Sequence, residues 1–256
     1  MPNQKILYIT TEMYPYQEDS NIGSLVSKMA LKMHSEGNDV RVFMPRFGVI
    51  SERKFQLHEV IRLSGMNIII NDLDQPLIIK VASLPGERLQ VYFIDNEEYF
   101  KRKQFYFDED GKAFDDNDER AIFFARGVIE TIKKLNWVPD VIHLNGWMSS
   151  FVPLYLKTFY KNDYYFNDTK FVLSLYNEDP LELSKSVEEK LKFDHIKDLS
   201  AIKKPTAENF VIDSMQFVDV VLKGDEFLEG DLDKAYNATK TSKSEYLDVD
   251  SIEKVY

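Results

Sequence analysis

Short apolar runs alternate along this chain with stretches in which apolar residues recur every three or four positions. The segment Lys5-Ile-Leu-Tyr-Ile-Thr-Thr11 reads as a buried parallel strand. From Ser20 to Glu36 the residues Ile22, Leu25, Val26, Met29 and Met33 fall on one helical face, and Gly37 supplies the stop. Val40-Arg-Val-Phe-Met44 returns as a second strand, closed by Pro45. A strand, a crossover helix and a second strand predict an α/β fold, a Rossmann-like parallel sheet with helices on its faces. Between Ser51 and Asp95, β-branched residues gather in runs at 58–62, 67–71, 76–82 and 89–94, which predicts short strands and an added β-hairpin region.

Periodicity then predicts a long helix from Asn117 to Leu135. Ala121, Ile122, Phe124, Ala125, Val128, Ile129, Ile132 and Leu135 form its apolar face, and Asp115, Asp116 and Asp118 crowd its positive end. Asp140-Val-Ile-His-Leu144 reads as a strand, Trp147–Tyr160 as an amphipathic helix and Phe171-Val-Leu-Ser-Leu175 as a further strand. A helix over 206–217 leads into Val218-Asp-Val-Val-Leu222. From Thr239 the chain turns polar, so the expected division is a domain over 1–238 and a loosely held tail over 239–256 with a short final turn at 250–256. No repeat with a period of 20 to 50 residues is visible.

Composition narrows the function classes. The 256 residues carry 32 Lys and Arg against 43 Asp and Glu, a formal charge of −11, with 44% apolar residues. A real core can be buried, while nonspecific binding to nucleic acid or an anionic membrane is disfavoured. No apolar run approaches the roughly 20 residues that a bilayer requires. Met1-Pro2-Asn3-Gln4-Lys5 runs straight into the first strand without a signal-peptide pattern, so the expected location is the cytoplasm. With no cysteine there is no disulfide, no thiolate nucleophile and no Cys-type zinc site.

The glycines stand at least six residues apart, so neither a P-loop nor a dinucleotide fingerprint is present. His34, His58, His143 and His195 lack zinc-site spacing, and there is no G-x-S-x-G elbow. We therefore assign no catalytic residue, no metal site and no cofactor. The acidic run Asp108–Glu119 departs from a calcium-loop pattern, with Tyr106 at the first ligand position and Asn117 where a bidentate Glu belongs. It reads as a solvated loop feeding the helix start, with Lys101-Arg102-Lys103 as a counter-charged patch. Ligands of open parallel sheets bind outside the carboxyl ends of the strands. Here those ends bring forward Glu12, His143, Asn145, Trp147, Tyr176 and Asn177 as the candidate set for a polar ligand.

The order of these motifs resembles the opening half of bacterial glycogen and plant starch synthases. The resemblance is carried by Lys5–Pro15, Glu36–Pro45, Tyr92-Phe-Ile-Asp-Asn96, Phe114–Arg120, Trp137–His143, Pro153–Leu156 and Asp213–Leu222, and it covers residues 4–230. It implies the N-terminal half of a GT-B fold. Those enzymes move glucose from ADP-glucose to the non-reducing end of an α-1,4-glucan with retention of configuration. Several family positions differ here. Where the family carries Lys-Thr-Gly-Gly-Leu against the donor phosphates, this chain has Glu18-Asp-Ser-Asn-Ile22. The family's His-x-His-Asp-Trp-His is His143-Leu-Asn-Gly-Trp-Met148, and a later family His is Tyr176, while Asp116, Asn117 and Arg120 are kept. The expectation is a stand-alone, non-catalytic relative that binds an α-glucan, a sugar nucleotide or a protein partner. The alternative is the acceptor half of a split ADP-glucose:α-1,4-glucan glucosyltransferase. The expected partners also include a second copy of the chain, or a protein covering the face of the donor-binding domain.

Overall fold

The computed structural model describes residues 3–197, 199–246 and 249–256. The expectations that touch Met1, Pro2, Leu247 and Asp248 lie outside the described residues. Among the described residues, ten strands make up the sheet: β1 (Lys5–Thr10), β2 (Asp39–Pro45), β3 (His58–Glu59), β4 (Met66–Ile70), β5 (Leu73–Ser83), β6 (Gln90–Asp95), β7 (Val141–Asn145), β8 (Lys170–Leu175), β9 (Val220–Lys223) and β10 (Ser242–Ser244). The helices are α1 (Asn21–Ser35), α2 (Glu52–Phe55), α3 (Glu97–Phe100), α4 (Asn117–Leu135), α5 (Phe151–Lys157), α6 (Val187–Phe193), α7 (Ala207–Ser214) and α8 (Gly230–Ala238).

The strand order is β10-β9-β8-β7-β1-β2-β6-β5-β3, with β4 attached to β5. Strands β10 through β6 in that order pair in parallel, while β5 runs antiparallel to β6, β3 and β4. The α/β class with an added hairpin region is thus as expected. The predicted runs at 67–71 and 76–82 are the arms of one hairpin, β4–β5. Its two-residue turn, Asn71-Asp72, has φ of 46° and 65°, the left-handed pair that lets a hairpin keep the sheet's twist. Only His58 and Glu59 of the run at 58–62 form a strand.

Helix α4 is buried almost all round, because β6 lies under it and α5, α6 and β4 flank it. That burial extends to Asp118, whose carboxylate meets Lys190 Nζ at 2.7 Å, and to Arg126, which reaches Asp194 at 3.2 Å. Asp116, expected as a helix-start carboxylate, pairs with the Arg102 guanidinium rather than capping the helix with its side chain. Asp108 caps its own turn by accepting from the amides of Asp110 and Lys112, at 3.0 and 2.8 Å.

The polar segment after Thr239 is more firmly held than its composition suggests. Ser242–Ser244 add to the sheet edge beside β9, where main-chain pairing needs no apolar side chain. Past it, Ile252 and Val255 are buried against the domain, and Lys170 Nζ donates to the Val255 carbonyl at 2.6 Å. Among the described residues no helix is long and apolar enough to cross a membrane.

Candidate functional site

Strand β1 leads through α1 to β2 on one side, while its neighbour on the other side is β7, so the crevice between β1 and β7 is the topological switch point of the sheet. A cavity of about 730 Å3 opens there. The loop after β1 supplies Glu12, Tyr16, Gln17, Glu18 and Asp19, and the start of α1 supplies Ser20 and Asn21. Trp147 comes from the 3-10 turn after β7, Tyr176–Asp179 from the end of β8 and Asp225 from the end of β9. Phe105, Tyr106 and Phe107 form the facing wall. A second lobe of about 740 Å3 shares Trp147, Tyr176–Asp179 and Leu181, and continues to Lys204, Thr206, Asn209 and Glu229.

Local chemistry fixes each wall. Ser20 caps α1 by accepting from the Gly23 amide at 2.8 Å, and the Tyr14 amide donates to the Gly23 carbonyl at 3.1 Å, so the β1 loop is fastened to the helix it precedes. Asn177 clamps two loops together: its amide donates to Asp225 at 2.7 Å, its side-chain nitrogen to the Phe227 carbonyl at 2.7 Å, and its oxygen accepts from the Glu229 amide at 2.9 Å. Arg120 is fully buried and donates to the Phe105 carbonyl at 2.6 Å, while Asn117 donates to the Tyr106 carbonyl at 2.9 Å. The aromatic wall therefore hangs from the first turn of α4. Burial pulls the Arg120 pKa down to about 10, and its guanidinium sits against the rings of Phe47, Phe100 and Phe114.

The cavity is acidic. Glu12, Glu18, Asp19, Glu178, Asp179 and Asp225 line the first lobe, and among the described residues no Lys, Arg or His lines it. Burial raises the Glu12 carboxyl above its usual range, offset in part by the Ser20 hydroxyl. Glu178 is pushed up to about 8, first by desolvation and then by the charge of Glu12. Four side chains on the same walls carry solvent-inaccessible polar atoms that make no hydrogen bond among the described residues: the indole N–H of Trp147, both amide atoms of Gln17, and the hydroxyls of Tyr16 and Tyr106.

The six expected residues divide by position. Glu12, Trp147, Tyr176 and Asn177 line the cleft. Asn145 stands behind its wall, accepting from the Tyr176 hydroxyl at 2.8 Å. His143 is not in the cleft: it is buried beneath the sheet, with Ser174 and Tyr256 hydroxyls each 2.7 Å from a ring nitrogen. Burial lowers its pKa to about 3 and keeps the imidazole neutral. The strand-end rule expects residue 143 at the carboxyl end of β7, but it lies two positions short of it, where the parallel neighbours β1 and β8 enclose it. The cleft residues that the sequence reading passed over are Gln17, Glu178 and Asp225. The last two follow strands β8 and β9 and were open to the same strand-end rule; nothing in the sequence singled out Gln17.

A family model described as the starch synthase catalytic domain matches residues 5–244. The chain belongs to the starch synthase catalytic domain family. Glycogen synthase of Chlorobium limicola is 39% identical over 176 residues, covering 68% of this chain and 36% of that protein. Glycogen synthase of Chlorobaculum tepidum is 38% identical over the same length and shares. The chain thus spans about a third of the length of these relatives. The catalytic domain of starch synthase IV from Arabidopsis thaliana, solved with ADP and acarbose, superposes with a TM-score of 0.73 over 97% of this chain and 53% of that one, at 17% identity. That likeness shows the fold, the N-terminal half of a GT-B architecture. The loop that leads into α1 sets Glu18 and Asp19 at the cleft wall.

Proposed function

We propose that this domain is a non-catalytic member of the starch synthase family that holds an uncharged α-glucan in its cleft and does not itself seat a nucleotide diphosphate. The lining of the first lobe carries the reading: six carboxyl side chains and no cationic one. A diphosphate entering this space meets like charge at short range, in surroundings where charges are weakly screened. A sugar meets complementary chemistry. Its hydroxyls donate to carboxylates, while its apolar faces rest on Tyr16 and Phe105. The Arabidopsis relative was solved with ADP and acarbose; in our reading this chain retains only the sugar-facing part of that pair. Glucosyl transfer also needs the developing diphosphate charge to be neutralised, and losing one such contact commonly costs about 10²–10³ in rate.

Isothermal titration of the purified chain with maltoheptaose and, separately, with ADP-glucose tests this. Saturable heat with the glucan and none with ADP-glucose is the expected result. Binding of ADP-glucose at comparable concentration, or no binding of the glucan, overturns it. The match of residues 5–244 to the starch synthase catalytic domain favours one other reading, the acceptor half of a split ADP-glucose:α-1,4-glucan glucosyltransferase. It requires glucosyl transfer to appear when a separate donor domain is added.

A further inference from the structure

Residues 249–256 are fastened to the domain by side chains. Val249–Lys254 form a 3-10 helix packed against α1, and Ile252 and Val255 are buried. Lys170 Nζ donates to the main-chain oxygens of Val255 and Tyr256 at 2.6 and 3.3 Å, and Lys32 stands 3.8 Å from Glu253. Among the described residues no backbone ladder joins this segment to the sheet, which makes it a unit that can open locally while the core stays shut. Tyr256 carries the segment into the middle of the sheet. Its hydroxyl donates to that of Tyr8 at 2.7 Å and lies 2.7 Å from His143 Nδ1, while His143 Nε2 lies 2.7 Å from the Ser174 hydroxyl. Because the Tyr256 proton goes to Tyr8, Nδ1 donates to Tyr256 and Nε2 accepts from Ser174. The neutral imidazole is paired at both nitrogens, and Tyr256 supplies one of the two partners.

The same polar stripe reaches the cleft. Tyr8 pairs with His143 across β1 and β7, and Asn145, two positions further along β7, pairs with Ser174 of β8, so all four side chains share one face of the sheet. Asn145 Nδ2 donates to the His143 carbonyl at 3.2 Å, and its oxygen accepts from the hydroxyl of Tyr176, which lines both lobes of the cavity.

We infer that residues 249–256 are an acid-released latch: proton uptake at His143 frees Tyr256 from its seat, and the cleft wall tied by Asn145 and Tyr176 loosens with it. With the latch shut, the imidazole faces the phenol of Tyr8 from β1, the phenol of Tyr256 from the segment, and the Ser174 hydroxyl and Tyr176 phenol from β8. Burial pushes all three phenols up, so none of these groups is ionised at neutral pH. The charges nearby serve other partners: Glu36 acts on Tyr8 from the end of α1, Lys32 faces Glu253, and Lys170 holds the segment's carbonyls. A proton on the buried ring therefore meets no compensating carboxylate among the described residues, and desolvation holds its pKa near 3. With the latch open, water reaches the ring and its ordinary value of about 6.5 returns. The open form then takes up a proton that the shut form refuses. The shut form is favoured above about pH 6.5 and loses about tenfold for each pH unit below it. The effect on the cleft rests on the reading of that cleft as a glucan site; the release of the segment does not.

Amide hydrogen exchange on the whole chain, with protection corrected for the intrinsic rate at each pH, reads the latch directly. Between pH 7.5 and 4.5 the amides of 249–256 should lose about a hundredfold in protection. Those of α4 should stay the better protected at every pH, which separates local release from unfolding. Saturating maltoheptaose at constant pH should raise the protection of 249–256 about fivefold or more, since a cleft and a latch that share a wall stabilise each other reciprocally. Tyr256→Phe should lower that protection about tenfold at pH 7.5, because His143 loses a buried partner. His143→Asn should flatten the pH profile, and the series on the unaltered chain stands even if that variant misfolds. Protection of 249–256 that is constant from pH 7.5 to 4.5 overturns the latch, and so does a loss shared equally by α4. Release in acid with no response to a glucan that does bind overturns the coupling to the cleft. If calorimetry shows no maltoheptaose binding, the glucan reading and the coupling fall together, and the acid release is judged on its own profile.

Discussion

A Cβ built at position 146 would lie 1.9 Å from the Thr11 hydroxyl, and the backbone there has φ 79° and ψ 153°, a conformation reserved almost wholly for glycine. The family's Asp cannot simply be restored at this position. Gly146→Asp should cost about 2–3 kcal/mol and lower the Tm by several degrees, while an unchanged melting curve would show that the β1 and β7 ends can part. Glu178 makes a second prediction at this scale. Between pH 4.5 and about 8 the folded chain keeps a proton on this carboxyl that the unfolded chain has released, so stability falls as pH rises through that window and levels off above it. His143 acts on the acid side: its folded pKa of about 3 lies below the ordinary 6.5, so stability is also lost as pH drops from 6.5 towards 3. Glu178→Gln should therefore gain about 1–3 kcal/mol over the parent above pH 8 and almost nothing near pH 5, read from urea melts across pH. Stabilisation of equal size at both pH values would contradict the assignment. Neither residue's role was legible in the sequence, because both depend on what other strands bring alongside.

Helices and parallel strands were legible from apolar spacing, since α1 and α4 each have to bury a face against the sheet. The added strands were less so. The hairpin β4–β5 carries its own signal in Asn71-Asp72, but β3 is two residues long and β10 is polar, and both exist through main-chain pairing at the sheet's edges. From the first turn of α4, Asn117 and Arg120 hold the carbonyls of Tyr106 and Phe105, and so the aromatic wall of the cleft. Arg120→Leu should leave the Phe105 carbonyl without its buried donor, costing about 2–4 kcal/mol and weakening glucan binding with it. A variant that loses neither stability nor binding would show that the wall stands without this tie.

At the scale of the whole molecule, the sheet order places a cavity at the β1–β7 switch point. Four of the six residues expected from strand ends do line it, because that rule depends on topology alone. The charge of the cleft is the departure. Its carboxyls come from three separate stretches of chain, after β1, β8 and β9, and meet only when the sheet brings those strand ends together around β7. The central claim is that this field excludes the diphosphate donor. Its most direct test is transfer of labelled glucose from ADP-glucose to a maltooligosaccharide by the purified chain, with a full-length glycogen synthase assayed in parallel. The account predicts no elongation above the protein-free blank while the same chain retains the glucan; elongation that scales with protein concentration would contradict it.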